Sequence, residues 1–140
     1  MGNERTTVAA VSESAVRRTL VEYCQTLDDG RFDEWIDLFT TDVVFTVMGH
    51  RLEGREALRA FIEPTQQVDA RGRHMLSEPL VDTDGDEARV TTDYAFVSRE
   101  NRVTSSGRYH DVLRREPDRW RIARREIVFT GDRPTTAQER

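Results

Sequence analysis

Six side chains in this sequence could move a proton or hold a developing charge: Tyr23, Asp28, His74, Tyr94, Tyr109 and Asp111. Asp28 stands in Leu27-Asp28-Asp29-Gly30, with Phe32 and Trp35 just beyond it. A carboxylate at the negative end of a helix, among apolar neighbours, is placed to serve as a general base or as the acid partner of a histidine. The same aspartate also reads as half of a solvated helix-ending turn. His74 follows Arg71-Gly72-Arg73 and precedes an apolar run. An imidazole takes and returns a proton near neutrality, and a carboxylate on one ring nitrogen would fix its tautomer. Its other reading is a half-exposed residue at a strand start. Tyr23 reads as a helix-core tyrosine or, beside an open cavity, as a phenol donating to an oxyanion. Tyr109 and Asp111, on an expected strand, likewise read either as structural residues or as groups of the cavity.

These groups need elements to bring them together. From Ser12 the pattern is helical, with Val16, Leu20, Tyr23, Cys24 and Leu27 at three- and four-residue steps. Ser12 or Ser14 is a candidate cap, and Gly30 a candidate left-handed terminator. Phe32, Trp35, Ile36 and Phe39 form a second, short stripe. Val43 to Met48 is β-branched and aromatic, hence a strand, with a turn over Gly49 to Leu52. A third helix is expected from Gly54 to about Glu63, followed by a loop to His74. Strands are expected over Met75 to Val81, Ala88 to Ser98, Val103 to Arg115 and Trp120 to Phe129, joined by hairpin turns. The length of the two middle strands implies a bulge or strong curvature.

Helices followed by a curved antiparallel or mixed sheet make an α+β domain with an internal cavity. The expected division is an irregular 1–11, one domain over 12–130 and a loose tail over 131–140. Strand parity puts Val90, Thr92, Tyr94 and Phe96 on one face, and Gly107, Tyr109, Asp111 and Leu113 on one face of the next strand. Phe45, Val90, Thr92, Tyr94, Phe96, Tyr109 and Asp111 supply the candidate substrate-binding wall. The opposite faces are not uniformly polar, which points to cover by a second copy of the chain.

Composition narrows the function. The 140 residues include 34% charged and 36% hydrophobic residues with a net charge of −5. The acidic balance argues against a nucleic-acid groove, and the arginines, spread along the strands, read as solvated faces. No apolar run approaches the roughly 20 residues of a spanning helix, and the start lacks a signal-peptide pattern. A cytoplasmic protein with no membrane partner is therefore expected. Cys24, the one cysteine, reads as a buried thiol. No phosphate loop, nucleophile elbow or zinc helix is present. A metal site from His74, Asp28 and Asp111 lacks any ligand spacing, so neither metal nor cofactor is expected. His50 and His110 read as surface residues.

The runs EYCQTLDDGRFDEWIDLFTTDVVF, LEGREALRAF, RHMLSEPLVDTDGDEARV and GRYHDVLRREPDRWRIARR resemble the SnoaL-like branch of the nuclear transport factor 2-like superfamily. The resemblance spans about Val11 to Phe129. It implies a cone-shaped α+β barrel, commonly dimeric through its outer sheet face. It also implies a functional pair at Asp28 and His74, as in scytalone dehydratase, bile acid dehydratase and hexachlorocyclohexane dehydrochlorinase, with Tyr23 at the position of the tyrosine in the bile acid enzyme and in ketosteroid isomerases. The departures are equally specific. The ketosteroid isomerase base falls on Val47. The strand histidine and second tyrosine of scytalone dehydratase fall on Thr92 and Leu27, and the strand aspartate of the bile acid enzyme falls on Phe96. The expectation is a cofactor-free lyase or isomerase acting on a hydrophobic or polycyclic ligand. A non-catalytic binding or accessory protein, or a small subunit of a ring-hydroxylating oxygenase, is the alternative.

Overall fold

Two helices come first and strands follow, with a third helix between the second and third strands; a computed structural model describes residues 2–131. Helix α1 spans Gly2–Asp28, and α2 spans Phe32–Ile36. Strands β1 (Phe39–Val47) and β2 (His50–Glu53) precede helix α3 (Arg55–Ile62). Two 3₁₀ turns, Glu63–Thr65 and Val68–Ala70, lead to β3 (Arg73–Leu76), β4 (Leu80–Asp84), β5 (Glu87–Val97), β6 (Val103–Arg115) and β7 (Trp120–Phe129).

The strands form one curved, unclosed sheet of seven, in the order β2-β1-β7-β6-β5-β3, with β4 also paired to β5. Among the described residues only β1 and β7 run parallel; the other pairings are antiparallel. Register shifts at Phe96/Val97 and Val112/Leu113 supply the curvature expected of two such long strands. Gly107 helps in a second way. A Cβ there would collide with the Val128 carbonyl and come within 3.0 Å of the Tyr94 ring. A bare backbone at 107 therefore lets Tyr94 lie flat across the strand.

The core fills the concave side. Val16, Leu20, Tyr23 and Leu27 of α1 meet Trp35, Phe39, Phe45, Tyr109, Leu113 and Ile122, all buried. Aromatic edges dominate, with Trp35 against Phe39 at 4.9 Å and Tyr23 against Phe39 at 5.9 Å between ring centroids. Cys24 is buried there as expected, and burial pushes its thiol up to about 12. It is a packing residue, not a nucleophile.

Several boundaries differ from the periodicity, each for a local reason. Helix α1 starts at Gly2, ahead of Ser12, because nothing between them breaks a helix; Val8 and Val11 are exposed, so this portion shows no apolar stripe. Ser12 and Ser14 consequently lie inside the helix. Strand β1 starts at Phe39, earlier than Val43, since Ile122 N–H bonds the Leu38 carbonyl and carries the parallel ladder that far. The turn expected over Gly49 to Leu52 is tighter: Met48 and Gly49, both with positive φ, close a two-residue hairpin, and His50 already pairs with Val47. The single strand expected over Met75 to Val81 is two. Between Leu76, opposite Tyr94, and Leu80, opposite Thr91, the chain carries one extra residue at a segment containing Pro79, which has no N–H for the ladder. The loose tail expected over 131–140 lies, from residue 132 onward, outside the described residues. Among the described residues no helix is long and apolar enough to cross a membrane.

Candidate functional site

The site begins where α1 ends. Gly30, at φ 71°, ends the helix in the left-handed conformation. Arg31 N–H bonds the Thr26 carbonyl at 2.8 Å and Gly30 N–H bonds the Leu27 carbonyl at 3.0 Å. This crossed pair is a Schellman cap, and it fixes Asp28 on the last helical turn. Asp28 faces the sheet edge, not water.

His74 sits on β3, an edge strand, opposite Phe96 of β5. Its backbone N–H points away from β5 and donates to Asp28 Oδ2 at 2.8 Å. Its ring Nδ1 lies 2.6 Å from Asp28 Oδ1. A carboxylate only accepts, so Nδ1 carries the hydrogen, and in the neutral imidazole Nε2 is then the bare nitrogen. The two bonds hold one carboxylate against both the backbone and the ring of the same residue, and so set the ring's position as well as its tautomer. The Asp28 side chain is 3% exposed and the His74 side chain 12% exposed. The ring packs edge-on against Phe96, 4.9 Å between centroids, with Tyr94 at 6.1 Å.

His74 is the partition between two spaces. On one side a groove of about 500 Å³ runs between α1 and β3, bordered by Asp28, Gln25 and Met75. On the other an inner cavity of about 260 Å³ opens inside the curved sheet. Tyr23, Tyr94, Phe96 and Tyr109 line this inner cavity together with His74. Asp28 does not line it, in keeping with the five-residue offset that turns it about 140° from Tyr23 around the helix. The histidine carries the carboxylate's influence across.

The cavity floor is polar beneath its aromatic surface. Tyr109 stacks on Tyr94 at 4.6 Å with 7° between planes, and the Tyr94 hydroxyl lies 2.8 Å from Ser105 Oγ. Below Tyr23 and Tyr109 lies Arg125, its guanidinium carbon 4.2 Å and 4.0 Å from the two ring centroids. Arg125 Nε and Nη2 each donate to Asp111 at 2.7 Å. Burial pushes the Tyr23 phenol up to about 12, partly opposed by Arg125, and raises that of Tyr109 well above its ordinary value. Both phenols therefore keep their protons throughout the physiological range.

The remaining expected wall residues lie elsewhere. Phe45, Val90 and Thr92 belong to the packed interior and do not line the cavity, and Thr92 Oγ1 has no hydrogen-bond partner among the described residues. Asp111 is the counter-ion of Arg125 and does not line the cavity either. Residues not anticipated complete the lining: Ile62 at the end of α3, Thr65, Gln66 and Ala70 from the segment after it, and Ile127 and Phe129 from β7. Arg71 Nε bonds the Gln66 carbonyl at 3.0 Å and its guanidinium lies over Phe32, which ties that segment to the start of α2. Arg125 was hidden among RIARRE, which reads as solvated. Its signal was the alternation Arg125, Ile127, Phe129, with Asp111 opposite across β6. His110, as expected, is exposed on the outer face, opposite Glu126. Among the described residues there is no cluster of three or more His, Cys, Asp or Glu able to hold a metal ion.

Comparison with known proteins matches this architecture. The family model of the SnoaL-like domain covers residues 9–126. A Mycobacterium tuberculosis protein of unknown function superposes with a TM-score of 0.78 at 26% identity, over 94% of this chain and 76% of that one. A Novosphingobium aromaticivorans protein described as a candidate scytalone dehydratase gives 0.78 at 24% identity, over 89% and 87%. A Catenulispora acidiphila protein in complex with S-DNPA gives 0.71 at 28% identity, over 87% and 96%. No curated protein sequence matches the chain.

Proposed function

This chain belongs to the SnoaL-like domain family, and from that premise we propose that it is a lyase or isomerase working by side-chain acid–base chemistry. The observation that carries the reading is the 2.6 Å contact of Asp28 with His74 Nδ1, at a ring that borders an aromatic cavity. Nε2 is the nitrogen left to accept a proton from a carbon next to a carbonyl. The C–H electron pair moves into the carbonyl, whose oxygen gains charge and takes a hydrogen bond from Tyr23 or Tyr109. Asp28 stabilises the imidazolium so formed. The imidazolium then returns its proton, either to a departing hydroxyl, which leaves as water, or to a second carbon, which shifts the double bond. The aromatic wall keeps bulk water from competing.

One such pair contributes roughly 10²–10⁴-fold in rate. That suffices for an activated proton or hydroxide loss and suits a substrate already acidified by its own carbonyl. Two ligand-bearing or dehydratase-described relatives support a small-molecule role without naming this chain's substrate. The protein also works, in this proposal, as a homodimer through the outer sheet face, where a concavity of about 540 Å³ is bordered by Arg51, Leu80, Arg89 and His110. Light scattering on the purified chain checks this, and a monomer at micromolar concentration removes it.

The test of the chemistry is a screen of enolisable carbonyl compounds for those that raise the melting temperature, followed by turnover assays. His74→Ala and Asp28→Asn are each expected to abolish turnover of a stabilising compound while leaving the stabilisation largely intact. A compound that stabilises the protein and is turned over equally by both variants contradicts the assignment. If no stabilising compound is turned over by the wild type, the cone is a binding module.

A further inference from the structure

Arg125 is 1% exposed, and the acid–base reading gives it nothing to do. Its fork is engaged on one side only: Nε and Nη2 hold Asp111, while Nη1 is buried without a well-formed hydrogen bond among the described residues, the guanidinium standing within reach of the Tyr23 phenol. An unmet buried donor on a charged group is costly and calls for a reason. Neutralising Asp111 does not supply one, since two of the three nitrogens accomplish that. The pair instead forms a dipole whose positive end is the unbonded nitrogen. The guanidinium lies against the faces of Tyr23 and Tyr109 at 4.2 Å and 4.0 Å, and both rings line the cavity. A cation on the face of a phenol draws electron density from the ring and makes its O–H a stronger donor.

We propose that Arg125 acts from beneath Tyr23 and Tyr109 to make their hydroxyls a binding pair for an anionic oxygen, so that the cavity takes compounds presenting an enolate or phenolate. Arg125 is then a positioning residue that works through the two tyrosines. The inference rests on the reading of this cavity as the working site, and it adds the charge state of the ligand. His74 faces the same space and, once protonated, would favour the same anion. Asp28 and Asp111 are both shielded from the cavity, the first by His74 and the second by Arg125.

The experiment compares two probes of one shape. In mildly alkaline solution para-nitrophenol is ionised while Tyr23, pushed up to about 12, is not; nitrobenzene offers the same ring without the charged oxygen. The wild type is expected to prefer the phenolate by about tenfold or more, the scale of a hydrogen bond to a charged group. Tyr23→Phe lowers that preference. Replacing Arg125→Met together with Asp111→Leu removes the charges as a pair, and is expected to erase the preference while nitrobenzene still binds. If the double variant fails to fold, Tyr23→Phe and the shift of the bound phenolate's absorption band carry the test. Equal affinity for both probes in the wild type, or a preference that survives both changes, overturns the proposal. His74→Ala separates the two readings: lost turnover beside a retained phenolate preference supports both, and lost turnover in a protein with no such preference overturns this one alone.

Discussion

Two carboxylates in this protein each hold a nitrogen cation or its precursor, and they are built to opposite ends. Asp111 and Arg125 pair in register across β6 and β7, both essentially buried, with two 2.7 Å bonds in a fixed fork. Asp28 and His74 join elements 46 residues apart at the sheet edge, with one ring nitrogen committed and the other bare. The first pair is locked in place, because both side chains are shut off from solvent. The second is held as firmly in position but keeps a site at which a proton can come and go. Fixed geometry with a free lone pair is what acid–base work needs. The buried pair supplies a permanent field instead.

This contrast can be broken most severely at the buried pair. Arg125→Met leaves the Asp111 carboxylate without its cation, and the expected loss is about 3–5 kcal/mol of unfolding free energy. The double replacement with Asp111→Leu should recover most of it. Urea titration of the three proteins measures both, and a single variant as stable as the wild type would show that the pair is not the locked element described here.

The next effect is alkaline. Tyr23 has its phenol raised from 10.0 to about 12, so the folded state holds the proton more tightly than the unfolded chain. Its contribution is complete below about pH 10 and is lost as the pH climbs toward 12, at about 2–3 kcal/mol for the full interval. Cys24 shifts the same way and adds to that loss. The stability of Tyr23→Phe should fall less steeply than that of the wild type across this range. Parallel curves would place Tyr23 in contact with solvent.

Smaller still is the cost at the rim. Asp28→Asn keeps the shape and one acceptor oxygen, so the expected destabilisation is about 1–3 kcal/mol, the worth of hydrogen bonds to a charged group. A loss as large as that of Arg125→Met would mean that the rim pair is structural, and the contrast would collapse.

The sequence exposes these two pairs unequally. Helical spacing from Val16 to Leu27 and strand parity over Val90 to Phe96 and Gly107 to Leu113 are period signals, and they correctly separate inward from outward faces. Asp28 and His74 become a pair only through the family resemblance, because nothing local announces that an edge-strand N–H will meet a helix end 46 residues earlier. Arg125 escapes notice for another reason. Around Val112/Leu113 the register shifts, so inward parity along β7 passes from Ile122 to Arg125, and a count by twos forward from Trp120 and Ile122 puts the arginine outside. The segment from Glu63 to Ala70 reads as loop by composition. Its 3₁₀ turns and its place over the cavity depend on Arg71 reaching Phe32, a contact no spacing rule encodes.

The central claim is that His74 keeps a bare nitrogen for the cavity because Asp28 occupies the other one. Nitrogen-15 spectra of the histidine side chains, in mildly alkaline solution, read this directly. The account predicts a protonated Nδ1 and an unprotonated Nε2 on His74, with that preference lost in Asp28→Asn. A protonated Nε2 on His74 in the wild type, with or without a proton on Nδ1, would contradict it.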